Sequence, residues 1–150
     1  MSVSSYTDED FKIYSQKYAA AIQAVQLPPD INTGMGQIIL SQLDELYAYL
    51  RIDLADLESA YSRAESLIRQ NERAQAIGRN EEERKRNATT YLESFQVGEG
   101  KTINMYDEAR RLNKRYLMVK GFVDVISNKQ QRLITMSGFM KVDSQLGNNF

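Results

Sequence analysis

The sequence predicts an all-α protein: an elongated antiparallel helical hairpin, coiled-coil-like, with an extra N-terminal helix. Three observations carry this. The paired prolines of "LPPD" (residues 27–30) end a first helical segment, because proline lacks the amide a helix interior needs. A second segment and a last segment each carry an apolar stripe alternating spacings of four and three residues. The glycines of "VGEGKT" (residues 97–102) sit between helices with no βαβ unit around them. The expected layout is a single helical domain over 1–150: N-terminal helix 8–26, linker 27–37, long helical hairpin 38–141 and loose tail 142–150.

In the first segment Thr7 and Asp10 have capping-box spacing, and acids fill the first turn, where the helix dipole favours them. Phe11, Tyr14, Tyr18, Ile22 and Val25 then recur at helical spacing. After the prolines, "NTGMG" extends the break into a flexible joint. The next stripe runs Ile39, Leu43, Leu46, Leu50, Asp53, Leu57, Ala60, Ala64, Leu67, Asn71, Ala74. Beside it, Leu40, Tyr47, Leu54, Tyr61 and Ile68 repeat every seven residues, so this helix faces more than one neighbour. "IGRNEEERKRN" predicts a tight reversal near 78–80, capped by Asn80, and a short helix through about Leu92. Met105, Ala109, Leu112, Tyr116, Val119, Val123, Ile126, Gln130, Leu133, Ser137 and Met140 then keep the four-three alternation for five heptads. At 1.5 Å per residue that is a helix of roughly 55 Å.

"VGEGKT" (97–102) ends like a phosphate-binding loop, but the position that requires the first glycine is Phe95. Without that glycine, and without a preceding strand in a βαβ unit, the stretch reads as turn chemistry suited to a small β-hairpin.

Composition narrows the chemistry. With no Cys and no His, disulfides, thiol nucleophiles, Ser-His-Asp relays and Cys/His zinc sites are excluded, and no acid–base cluster suggests an enzyme. No cofactor or metal is expected. The start "MSVSSYTDED" has no apolar run, and nothing approaches the ~18 apolar residues of a membrane span, so the expectation is a cytoplasmic protein with no membrane partner. The net charge of −1 conceals an asymmetry: residues 1–75 hold 6 Lys/Arg against 11 Asp/Glu, while 101–150 hold 9 against 4. Such a split suits either a basic face for an anionic partner or a fit between unlike halves.

Basic residues collect in two places. Arg79, Arg84, Lys85 and Arg86 surround the reversal, partly offset by Glu81, Glu82 and Glu83; Arg110, Arg111, Lys114 and Arg115 form a second group on the face away from the seam. Arginine near tyrosine (Tyr91, Tyr106 and Tyr116 lie close in sequence) suits single strands, whose phosphates need cations and whose bases need rings to stack on. These eight cations are the candidate nucleic-acid contacts. The late seam, chiefly Val123, Ile126, Leu133, Ile134, Met136 and Met140, is the candidate oligomerisation surface. Polar seam residues (Asp53, Asn71, Gln130, Ser137) are expected to fix register or oligomer state.

Three stretches resemble the UvsY-type recombination mediators of tailed bacteriophages: "LESAYSRAESLIRQNERAQ", "GRNEEERKRNATTYLES" and "YLMVKGFVDVISNKQQRLITMSGF". With the order of elements they cover roughly the last two-thirds of the chain. The resemblance implies a non-enzymatic, homo-oligomeric mediator that binds single-stranded DNA, contacts a single-strand-binding protein and helps load a RecA-like recombinase. The alternative is a phage structural or assembly factor, or a prefoldin-like protein-interaction hairpin, without DNA binding.

Overall fold

The computed structural model describes the backbone of residues 1–148 and side chains through Met136. A 3-10 turn (Val3–Ser5) precedes helix α1 (Asp8–Ala24), α2 (Thr33–Ala74), α3 (Glu81–Glu93), strands β1 (Phe95–Gly98) and β2 (Lys101–Ile103), and α4 (Met105–Asn148). The long helices α2 and α4 pack together, so the protein is an all-α helical hairpin with one small two-stranded ribbon. Among the described residues no helix is long and apolar enough to cross a membrane.

The local signals act as elementary chemistry dictates. Thr7 accepts the Asp10 amide at 3.1 Å and starts α1. Residues 33–37, expected to be linker, are helical instead. The Asn32 side chain accepts the Met35 amide (2.8 Å), the Asn32 carbonyl accepts the Gly36 amide (2.9 Å), and the glycines fall in the first turn of the helix. At the other end α4 runs to Asn148, past the expected boundary at 141, since no proline interrupts it.

Two compact units divide the chain. The first contains Ser5–Leu54 and Met118 onward. Its core takes Phe11, Tyr14, Ile22, Val25 and Ile31 from the N-terminal region, Leu43, Leu50 and Leu54 from α2, and Val119, Val123, Ile126 and Leu133 from α4. Each large aliphatic side chain buried this way contributes about 1.5–3 kcal/mol. Helix α1, left unplaced by the sequence, is bound into this unit by two polar contacts. Tyr14 donates its hydroxyl proton to Asp53 at 2.6 Å, and Lys129 Nζ donates to the carbonyls of Ile22 (2.8 Å) and Val25 (2.7 Å), which end the helix. Tyr14 also sits in an aromatic cluster with Tyr6, Phe11 and Tyr18, with ring centroids 4.8–5.8 Å apart.

The second unit contains Ser2–Ser4 and Ala55–Leu117. Its core is formed by Leu57, Ala60 and Ala64 of α2, Ala88 and Leu92 of α3, Met105, Ala109 and Leu112 of α4, and Val3. The α2 seam turns from leucine to alanine here, and small side chains let neighbouring helices lie close. Beyond Ala64 the stripe opens, with Leu67 39% exposed. Between α2 and α3 the chain reverses at Gly78, where a Cβ would come within 3.0 Å of the Arg84 amide nitrogen, a contact that a larger residue could make only by shifting the start of α3. "VGEGKT" is the ribbon itself: Gly98 pairs with Lys101, and Gly100 takes φ +69° in the turn, so its glycines serve a hairpin.

Each polar seam residue with a described side chain has a partner within the chain. Asp53 holds Tyr14, Gln130 donates to Asp44 at 2.7 Å, and Asn71 donates back to the Leu67 carbonyl at 2.8 Å. The Ser137 side chain lies outside the described residues.

Candidate nucleic-acid interface

All eight candidate cations fall in the second unit, on three structural features: the 78–80 reversal, α3 and the first turns of α4. Arg115 differs from its expected position. It lies at 3% exposure, turned inward, with its guanidinium directed at the carbonyls of Val3 (3.4 Å) and Ser4 (3.5 Å). A buried guanidinium is retained where carbonyls can satisfy it, so Arg115 fastens the N-terminal turn and is removed from the candidate phosphate contacts. Asp56 supports the same turn by accepting the Ser4 amide at 3.0 Å.

Arg110 and Arg111 are paired with acids one turn earlier. Arg110 lies 3.3 Å from Asp107, and half-buried Arg111 grips Glu108 through two bonds of 2.6 and 3.0 Å. Arg79, Arg84, Lys85, Arg86 and Lys114 are exposed and form no salt bridge among the described residues.

The Glu triplet that seemed to oppose a basic tip has a structural task. Glu81, Glu82 and Glu83 occupy the first turn of α3, where the dipole favours anions. Glu83 completes a reciprocal cap: Asn80 accepts the Glu83 amide (2.8 Å) and Glu83 accepts the Arg79 amide (3.1 Å). The reversal is fixed further by Asn87, which donates to the Ile77 carbonyl at 2.6 Å, and by Arg84 Nε, which donates to the Gly78 carbonyl at 3.1 Å.

Where α2 ends, α3 passes and α4 begins, a cleft of about 770 Å³ opens within this unit. Ala76 and Ala88 provide apolar lining, and Arg84, Lys85, Thr89 and Tyr106 surround it together with Glu72 and Glu81. The Tyr106 ring is held by its hydroxyl, which donates to Glu72 at 3.0 Å. Burial, then the Glu72 hydrogen bond and charge, push the Tyr106 phenol above its ordinary value, so it remains a protonated donor. Tyr91, named with Tyr106 as a stacking candidate, is 41% exposed and meets Phe95 edge-on at 6.0 Å. Sequence reasoning found the cations and tyrosines but missed the walls, Glu72, Ala76 and Thr89. Nothing in a linear pattern marks residues that meet only when three helices converge.

The proposed oligomerisation surface is largely internal. Val123, Ile126 and Leu133 are spent on the first unit's own core, at 6%, 0% and 2% exposure. Their four-three spacing serves packing within the chain. Ile134 is exposed, Met136 is half-buried, and the Met140 side chain lies outside the described residues. Among the described residues no group of three or more acids could hold a metal ion.

No protein-family model, curated protein or solved structure matches the chain.

Proposed function

We propose that the protein is a non-enzymatic single-stranded-DNA-binding accessory of recombination and repair, a mediator that self-assembles and helps load a RecA-like recombinase, acting in the cytoplasm of a phage-infected bacterium. One observation carries the reading. Arg79, Arg84, Lys85, Arg86 and Lys114 are all exposed, lack salt bridges among the described residues and belong to one compact unit. Five phosphates neutralised would give a salt dependence with a log–log slope near −3.5, at about 0.7 per single-strand contact. Self-assembly would multiply contacts that are individually weak.

The test is charge reversal of Lys85, Arg86 and Lys114 together, followed by oligonucleotide binding and light scattering. The proposal expects retention of a single strand to be lost while the assembly state stays unchanged; unchanged retention would refute it. A protein-interaction hairpin without DNA binding is the second reading, favoured by the exposed Met118, Val125 and Ile134 on α4. It expects the triple reversal to leave every interaction intact.

A further inference from the structure

We infer that the cleft bounded by Tyr106, Lys85 and Glu72 takes one unpaired nucleobase of the bound strand, and that it prefers a base carrying an exocyclic amino group. The inference rests on the single-strand reading above and deepens it.

The cleft size suits the task, since small-ligand sites run from about 300 to 1,000 Å³ and this one measures about 770 Å³. Its chemistry orients the occupant. Glu72 and Glu81 repel phosphate from the parts of the cleft they line, while Arg84 and Lys85 attract it to theirs. The Arg84 Nε is already committed to the Gly78 carbonyl, which fixes the side chain and leaves its two terminal nitrogens for a phosphate. A nucleotide therefore enters base first.

Inside, the base meets a tyrosine ring whose hydroxyl is tethered to Glu72, so the ring is already immobilised for stacking. The methyl groups of Ala76 and Ala88 offer further apolar surface. The carboxylates select among bases, because an ionised carboxylate only accepts hydrogen bonds. Cytosine offers its N4 amino group as a donor, whereas thymine offers a carbonyl oxygen at the same position, which carboxylates repel.

The experiment uses the full chain and a ten-nucleotide oligo(dC) carrying one 5-iodocytosine, with oligo(dT) for comparison. Binding is read by fluorescence anisotropy, and the photocrosslink is mapped by mass spectrometry. The inference expects oligo(dC) to bind several-fold more tightly than oligo(dT) and the crosslink to fall on Tyr106. Tyr106→Ala should weaken oligo(dC) binding by about tenfold, and Tyr106→Phe, which keeps the ring, by much less. The crosslink is read on the unaltered protein, so a folding defect in a variant cannot decide the matter. Tight binding with the crosslink elsewhere, for example on Tyr91, or with no preference for oligo(dC), overturns the cleft and leaves the single-strand reading standing. Failure to bind either oligonucleotide at low salt overturns both.

Discussion

Each unit holds a cation in a structural role and leaves others exposed, and the two differ in what lies beside the exposed ones. In the unit of Ser5–Leu54 and Met118 onward, Lys129 is occupied in closing the end of α1, and the seam acid Asp53 is occupied by Tyr14. In the unit of Ala55–Leu117, Arg115 is similarly turned inward; Lys85, Arg86 and Lys114 are exposed, as Lys12, Arg51, Lys120 and Arg132 are in the first unit, but here a cleft stays open beside α3, lined by Arg84 and Lys85. Overall charge does not separate them strongly. The second unit, with Ser2–Ser4, holds 12 Lys/Arg against 11 Asp/Glu, and the remainder of the chain holds 7 against 9. The steep split between the ends of the sequence largely vanishes because α2 and α4 contribute to both units. What distinguishes a support from a candidate interface here is the placement of side chains, not their sum.

Several substitutions break or sharpen that contrast. The largest effect is expected from Leu50→Ala, at a position with 0% exposure in the first unit. A cavity of that kind costs about 2–5 kcal/mol, and thermal unfolding should fall by roughly 5–15 °C. Leu67→Ala in the second unit, 39% exposed on the open end of the stripe, should cost less than about 1 kcal/mol in the same assay.

Next in size is Lys129→Met. Removing both bonds to the α1 end should cost about 1–3 kcal/mol and speed hydrogen exchange in the last turn of α1, with single-strand binding unchanged.

Tyr14→Phe should cost about 1–2 kcal/mol, because it leaves the part-buried Asp53 carboxylate without its donor. Its pH behaviour has a definite sign. Burial, then the bond to Asp53, raise the Tyr14 phenol well above its ordinary 10.0. A raised value means the folded state favours the protonated form. The contribution is complete below pH 10 and declines as the unfolded chain ionises above it. Unfolding temperatures measured from pH 8 to 11 should fall above pH 10, and less steeply in Tyr14→Phe.

Gly100→Ala should cost about 1 kcal/mol, since alanine tolerates φ +69° poorly although no atom lies within 4 Å of the new Cβ. It should leave the cleft and its binding unaltered, which an oligonucleotide titration checks.

How much of this was legible in the residues differs between fold and site. Periodicity yielded both long helices, and Thr7, Asn80 and the prolines yielded most ends, because these signals act over a few neighbouring positions. The start of α2 escaped because Asn32 caps a turn whose glycines look like a joint. At the site, Arg79, Lys85 and Lys114 were visible as surface charge, but the inward turn of Arg115 was not. Its partners, the carbonyls of Val3 and Ser4, lie more than 100 residues away in sequence. The late seam misled for a related reason: a regular stripe shows that Ile126 and Leu133 are covered, without showing that the chain covers them itself.

The contrast between a bracing unit and a proposed binding unit is tested most directly by hydrogen exchange, with and without a saturating ten-nucleotide oligo(dC) at low salt. The account predicts slowed exchange at residues 79–92 and 105–115 and no change in α1, residues 8–24. Protection confined to α1, or none anywhere with the oligonucleotide bound, would contradict it.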